Sequence, residues 1–275
     1  IQGTPKKTFI PGFRYIDGET KDFADFNQWL LHFSFHDVTD TIAGEEIVVT
    51  QTNDRYIRTY SSITGEYYPS ALNNEFGQVN SYADFQNKLL TTAFGDIYQG
   101  LGKEELITFP WYEGNFNRPD EYDEELIPVI WYFDGSQFVF KDHLSDVDNQ
   151  LWNFLAQSST YPSATIADVN NDSLQDIIIS NGRLAILWNI GTQENPLFRF
   201  DYSYFASLNE HAPNEPIFAP NAWDYDQDGD YDIAYSYGRG FGKLRYGMDF
   251  FVNEGTQDEP FWTRVVQILK NLSIY

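Results

Sequence analysis

DYDQDGDYD, residues 224–232, is the stretch on which the reading of this chain turns. It holds five aspartates in nine residues: Asp224, Asp226, Asp228, Asp230 and Asp232. Carboxylates this close repel one another, so the stretch is either a solvated acidic turn or a cage for a cation. Its flanks, IFAPNAW (217–223) and IAYSYG (233–238), are apolar, aromatic and β-favouring. A disordered acidic segment is poor in such residues. Carboxylates at alternate positions, followed by a glycine that allows a sharp turn, suit a hard cation that takes about six to eight oxygen ligands. An EF-hand begins the same way but needs a bidentate Glu at position 12. Counted from Asp224, position 12 is Tyr235, and the acidic closer is Asp232 at position 9. The stretch therefore reads as a calcium loop between two β-strands.

A second copy lies upstream. ADVNNDSLQDIII places Asp168, Asn170, Asp172 and Asp176 at positions 1, 3, 5 and 9, with Ser173 where the other loop has Gly229. The match continues downstream: WNIGTQENPLF (188–198) parallels VNEGTQDEPFW (252–262) in the pattern Asn-x-Gly-Thr-x-x-x-Pro-x-aromatic. The step from Asn189 to Asn253 is longer than the step from Asp168 to Asp224, so the last unit carries extra length, which GRGFGKLRYG (238–247) accommodates. The N-terminal half repeats too. FADFNQWLLHFSFHD (23–37) parallels YADFQNKLLTTAFGD (82–96), and each is followed by an acidic-apolar run, EEIVV (45–49) and EELIT (104–108). Their intervening loops have lost most carboxylates, so no metal, or only weak binding, is expected there.

Four units thus start near residues 20, 80, 160 and 216 of one domain spanning 1–275. Periods of this length built from short strands indicate a propeller or similar array. Four strands are read in the third unit: SATIAD, DIIIS, LAILWN and LFRFDY. Helical spacing of Phe23, Phe26, Leu30 and Phe33 suggests a short helix before the first strand of the first two units. The segment 3–17 looks like a tail with no unit before it, either a strand closing the ring or what is left of a preceding blade. A partial chain from a larger ring is the alternative to a small propeller.

The cation loop set in a strand pair, together with the Asn-x-Gly-Thr tail, resembles the FG-GAP/VCBS repeat family, which builds the integrin alpha-subunit head propeller and many surface proteins. The resemblance is strong over about 160–262 and weak over 20–145. It implies an all-β propeller of four-stranded blades and two Ca2+ sites, structural rather than chemical. Positions 1, 3, 5 and 9 would give side-chain oxygens and position 7 a backbone carbonyl. The ligands implied are Asp168, Asn170, Asp172, Leu174 (carbonyl) and Asp176, then Asp224, Asp226, Asp228, Asp230 (carbonyl) and Asp232. Ser173 in place of Gly should weaken the first site.

Composition narrows the function classes. A net charge of −24 opposes nucleic acid and anionic membranes, and favours cations. The 18% aromatic content supports a sizeable core, and the absence of Cys rules out disulfides. No run of 18 apolar residues spans a membrane as a helix. The chain begins at Ile1 with neither Met nor a signal peptide, which leads to the expectation of a processed or truncated product, secreted or surface-exposed, where calcium is plentiful. His32 and His36 stand i, i+4 but approach a strand, where a helical metal pair fails; His143 and His211 carry no ligand spacing. No nucleophile elbow, phosphate loop or dinucleotide fingerprint is present. Recognition or adhesion, with a glycan or protein ligand, is the function expected. A polysaccharide-active enzyme and a subunit of a larger surface assembly are the alternatives. Aromatics on inter-unit loops that would meet a ligand are Trp111, Tyr112, Tyr122, Trp131 and Trp152, each weighed against a core role, whereas Trp188 reads as core. The acidic insertion EGNFNRPDEYDEEL (113–126) and the sequon at Asn271 complete the candidates.

Overall fold

The computed structural model describes residues 31–36, 46–51, 57–61, 88–98, 104–112, 128–134, 138–156, 162–211, 216–238 and 246–265. These form four antiparallel sheets. The first has three strands, β1 (Leu31–His36), β2 (Glu46–Gln51) and β3 (Ile57–Ser61). The second is β4 (Lys88–Gly95), β5 (Glu105–Tyr112), β6 (Val129–Phe133) and β7 (Phe138–His143). The third is β8 (Ser163–Ala167), β9 (Asp176–Ser180), β10 (Leu184–Asn189) and β11 (Phe198–Asp201). The fourth is β12 (Ile217–Trp223), β13 (Asp232–Gly238), β14 (Tyr246–Asn253) and β15 (Trp262–Arg264). In every sheet the strands pair in chain order, so each unit is a simple meander. The first strands line up between units: β4 lies beside β8, and β8 beside β12.

Why the sheets stack follows from β9. Its sequence DIIIS is buried at every position. An antiparallel strand with one wet face alternates apolar and polar residues, so a continuous apolar run demands cover on both sides. Ile177 and Ile179 face the second sheet, in a core with Ile107, Phe109 and Ile130. Ile178 points the other way, into a core with Ile233, Tyr235 and Phe251 of the fourth sheet. Fully burying one such side chain is worth about 1.5–3 kcal/mol. The second sheet is likewise buried on its far face, where Leu106, Val129 and Trp131 are all inaccessible, and the first sheet lies along β4.

Two short helices that periodicity did not signal plug the gaps between sheets. α1 (Gln150–Ala156) sends Leu151, Phe154 and Leu155 into the core between the second and third sheets. The Asp146 carboxylate caps it, accepting from Gln150 N at 2.9 Å and Leu151 N at 3.0 Å. At its other end Asn181 Nδ2 donates to the Phe154 and Leu155 carbonyls, each at 2.9 Å. α2 (Ala206–His211) does the same between the third and fourth sheets, where Phe205 and Leu208 are fully buried.

The third unit has its strands where the sequence placed them, whereas the first sheet shows three strands among the described residues in place of the four expected of a blade. Among the described residues no strand of β12–β15 packs along β1–β3, so the sheets form a row rather than a closed ring. The helix expected before the first strand falls at 23–30 and 82–87, outside the described residues; Leu31, Phe33, Leu89 and Leu90 are in strands. The segment 3–17, the insertion 113–126, Tyr122 and Asn271 also lie outside the described residues. Of the added segment 238–247, Gly238 ends β13 and Tyr246 opens β14, so the extra length falls in that hairpin.

Candidate cation loops

Both acidic loops connect the first strand of a sheet to the second, 168–176 between β8 and β9 and 224–232 between β12 and β13. Their principal hydrogen bonds correspond. In the first, Asp168 Oδ1 accepts from Asp172 N at 3.0 Å and its Oδ2 from Ser173 N at 2.9 Å. In the second, Asp224 Oδ1 accepts from Asp228 N and its Oδ2 from Gly229 N, both at 3.2 Å. Leu174 N donates to Asp172 Oδ1 at 2.8 Å, as Asp230 N does to Asp228 Oδ1 at 3.2 Å. Two residues per loop sit in the left-handed region: Asn171 (φ 55°) and Ser173 (φ 70°), then Gln227 (φ 62°) and Gly229 (φ 99°). Gly and Asn tolerate that region; Ser173 is strained there.

The closing aspartate of each loop ties the loop to the sheet. Asp176 is fully buried and accepts from Val169 N at 3.1 Å and from Asn189 N, at the end of β10, at 2.8 Å. Asp232, also fully buried, accepts from Tyr225 N at 2.7 Å and Asn253 N at 2.9 Å. The two asparagines then organise the Asn-x-Gly-Thr turns. Asn189 Oδ1 accepts from Gly191 N and Leu197 N, both at 3.2 Å. Asn253 Oδ1 accepts from Gly255 N at 3.1 Å and Phe261 N at 2.9 Å. The glycine of that motif is steric: a Cβ on Gly191 would stand 2.3 Å from the Asn195 carbonyl, and one on Gly255 2.4 Å from that of Glu259.

The loops differ in how far their carboxylates converge. Ligand-type oxygens of Asp224, Asp226 and Asp232 all lie within 4.8 Å of one another. In the first loop Asn170 replaces the middle carboxylate, and its Nδ2 donates to Asp172 Oδ2 at 2.9 Å, an internal bond that uses up one acceptor. In the second loop Asp228 falls outside the convergent group, and its Oδ1 accepts from Asp230 N. The position-7 residues, Leu174 and Asp230, follow it in each loop, and Asp230 brings something the sequence reading assigned only to a backbone carbonyl. Its side chain is 6% exposed, and Oδ1 has no hydrogen-bond partner. Burial, then Asp228, Asp232, Asp226 and Asp224, push its carboxyl up to about 6. Asp176 rises to about 7 through burial, with the two N–H donors opposing and Asp172 and Asp168 adding to it. Asp232 is raised mainly by burial as well. Three converging carboxylates are a donor set that a divalent hard cation fits, and the buried Asp230 Oδ1 in the same loop has no hydrogen-bond partner.

The loops touch. Gly229 O accepts from Asn171 Nδ2 of the first loop at 2.9 Å and from Gln257 Nε2 at 2.8 Å. Beside this contact opens a cleft of about 420 Å³, bordered by Asn170, Asp172, Trp188, Arg199, Asp201 and Tyr204 among others. Trp188 and Tyr204 meet edge to face, with ring centroids 4.9 Å apart, and Trp188 is only 9% exposed. Neither ring is laid out flat as a stacking floor. Burial acts to raise the Asp201 carboxyl, but hydrogen bonds from Ser203, Trp188 and Tyr204 outweigh it and hold the group below its ordinary value. It is a fixed anion, not a proton donor.

Several other candidates resolve into structure. Trp131 is fully buried, and its Nε1 donates to Thr108 Oγ1 at 3.0 Å, so it belongs to the core and meets no ligand. Trp152 lies half-buried in α1, and Trp111 and Tyr112 end β5. His32 and His36 both fall in β1, where four residues of extended chain span about 13 Å, too far for a shared ion. His143 packs edge-on against Phe140. No protein-family model matches the chain, and a search of curated proteins returned no match.

Proposed function

We propose that the chain is a calcium-braced repeat protein of propeller type, working in recognition or adhesion outside the cell or at its surface, with a glycan or protein ligand. The observation that carries the cation is the pair of loops. Two segments one repeat apart adopt one hydrogen-bonded scaffold, and in the second, three carboxylates converge, while the buried Asp230 Oδ1 of the same loop has no hydrogen-bond partner. Calcium supplies there the positive charge that the loop lacks; Asp224, Asp226, Asp228 and Asp232 hold it, with the Asp230 carbonyl. Asp168, Asn170, Asp172, Asp176 and the Leu174 carbonyl form the weaker site. The role is structural, because the ion sits where the loop joins two strands, and Asp176 and Asp232 pass its order on to β10 and β14. Stacked sheets with aligned first strands support the propeller reading.

The −24 charge sets partner chemistry: basic or neutral ligands, not nucleic acid. A hydrolase reading needs a carboxyl able to give up a proton in a cleft, and Asp201, one of the acids bordering the cleft, is held ionised. The test is a glycan-array screen of the whole chain with calcium and with EDTA, beside calcium titration calorimetry. Calcium-dependent glycan binding supports the lectin-like reading. Calorimetric binding without glycan hits moves the ligand to a protein. No calcium heat at millimolar concentration overturns the cation reading itself.

A further inference from the structure

Each sheet turns one face toward the sheet that follows it, and the internal repeat identifies the residues of that face. In the third sheet they are Ala167, Val169, Ile178, Leu184, Ile186 and Trp188, none more than 9% exposed, all packed against the fourth. Carried forward by the repeat, with Asp168 on Asp224 before the long hairpin and Asn189 on Asn253 after it, the same positions in the fourth sheet are Trp223, Tyr225, Ala234, Met248, Phe250 and Val252. Cross-strand pairing of Ala234 with Phe250 and of Ser236 with Met248 puts them on one face. Here only Ala234 remains buried. Trp223 is 39% exposed, Tyr225 52% and Met248 52%. The patch is organised: Trp223 stacks on Phe250 at 5.0 Å and 9°, and Tyr225 meets the same ring edge-on at 5.0 Å. Contiguous apolar surface of this kind marks an interaction site.

We infer that this face docks on the first sheet of a second copy of the chain, so that two chains join head to tail. Ile47 occupies the register of Leu106, Ile177 and Ile233, the row that in the later sheets faces the preceding sheet, and it pairs with Phe35 and Tyr60. The first sheet is the one with no preceding sheet among the described residues, and within one chain its strands do not pack along β12–β15. The docking continues the contact already made between the third and fourth sheets. Four strands at about 4.8 Å spacing and about six residues long present a face of about 400 Å². A two-chain ring makes the contact twice, or about 800 Å² per chain, the size of a standard interface. The four described sheets of each chain make eight, within the range of closed propellers, and a heterologous contact that closes gives a ring rather than a filament. The inference rests on the stacking of the sheets and not on the cation.

Sedimentation velocity of the whole chain in calcium buffer, over a wide concentration range, tests it. The expected species has twice the 31.9 kDa chain mass. It should strengthen with added salt, because two chains of charge −24 repel. Met248→Glu should weaken the dimer at least about tenfold. Phe261→Glu, at a 64% exposed turn residue before β15, should leave it unchanged. Circular dichroism verifies that both variants fold. A monomer at every concentration overturns the inference, as does a dimer indifferent to Met248→Glu. A monomer that Met248→Glu destabilises also overturns it, since the face is then covered from within its own chain.

Discussion

Replacing Asp226 with Asn gives the cation reading two signs to satisfy. The side chains of Asp224, Asp226 and Asp232 bring oxygens within 4.8 Å of one another. At that separation two full charges repel by about 0.9 kcal/mol in bulk water and by about 3.5 kcal/mol at an effective dielectric of 20. Asp226 is exposed while Asp232 is fully buried, so the setting is intermediate. Asn keeps the shape and removes two repulsive pairs, which should stabilise the calcium-free chain on the order of 2 kcal/mol at low ionic strength, and less as salt screens the site. With calcium the sign reverses. An ion at a hundredfold excess over its Kd stabilises by about 2.7 kcal/mol per site, a rise in Tm of about 5–10 °C for a chain of this size. The variant should forfeit most of the share belonging to the second loop. Scanning calorimetry of both proteins in EDTA and in calcium should therefore give crossing orders: variant above wild type without the ion, below it with the ion. A wild-type Tm indifferent to calcium, or a variant less stable in EDTA, refutes the reasoning.

Other expected outcomes concern the backbone and a buried acid. Gly229→Ala places a Cβ in open space, but at φ 99°, so its cost of about 1–2 kcal/mol is purely conformational and should be seen in urea unfolding even in EDTA. The reciprocal Ser173→Gly relieves φ 70° and should tighten calcium at the first loop severalfold by titration calorimetry. Glu105 is raised to about 7, first by burial, with N–H donors of Tyr98 and Ile97 opposing. A carboxyl whose folded pKa exceeds its unfolded value stabilises fully below the unfolded pKa, and that contribution fades as pH climbs to about 7. Wild type should therefore lose up to about 3 kcal/mol relative to Glu105→Gln between pH 4.5 and 7. Parallel urea curves for the two proteins at every pH would show that Glu105 is not burdened by its charge.

Much of the architecture was legible because repetition amplifies weak signals. DIIIS alone reads as a strand or a buried helical turn, but its recurrence as DIAY at a fixed distance from an Asp-rich loop settles the matter. The strands of the third sheet and the loop scaffold followed from the same repeat. The helices α1 and α2 were not legible, since QLWNFLA and ASLNEH are only seven and six residues long and take their stability from packing. Asp146, four residues ahead of Gln150, was the available signal for the first. For Trp131 the core role weighed against a ligand role is the one the structure shows; a loop-flanking aromatic looks the same in sequence whether its indole meets a ligand or, as here, Thr108. The buried side chain of Asp230 was also unread, because spacing predicts ligands along a loop but not which acid is turned inward.

Glu105 explains how a unit with worn carboxylates keeps its shape. In the last two units, one carboxylate at the start of the second strand receives an N–H from the loop entrance and another from the end of the third strand, so loop and sheet are fastened together. The second unit has Glu105 at that place, one methylene longer. Its Oε2 reaches two successive loop-entrance donors, Ile97 N at 2.7 Å and Tyr98 N at 2.9 Å, while Oε1 is left without a partner. The brace survives on backbone donors alone, and the cost appears as a carboxyl that prefers its proton near neutral pH. In the third and fourth units the same buried acid is the closing residue of an Asp-rich loop, where the proposed cation would offset the charge. On the proposed reading, calcium would be the alternative to protonation for keeping a carboxylate at the root of the loop. The two solutions should separate in one experiment: lowering pH in EDTA should stabilise all three units, while calcium at neutral pH should protect the amides of 168–176 and 224–232 from hydrogen exchange and leave those of Ile97 and Tyr98 unchanged.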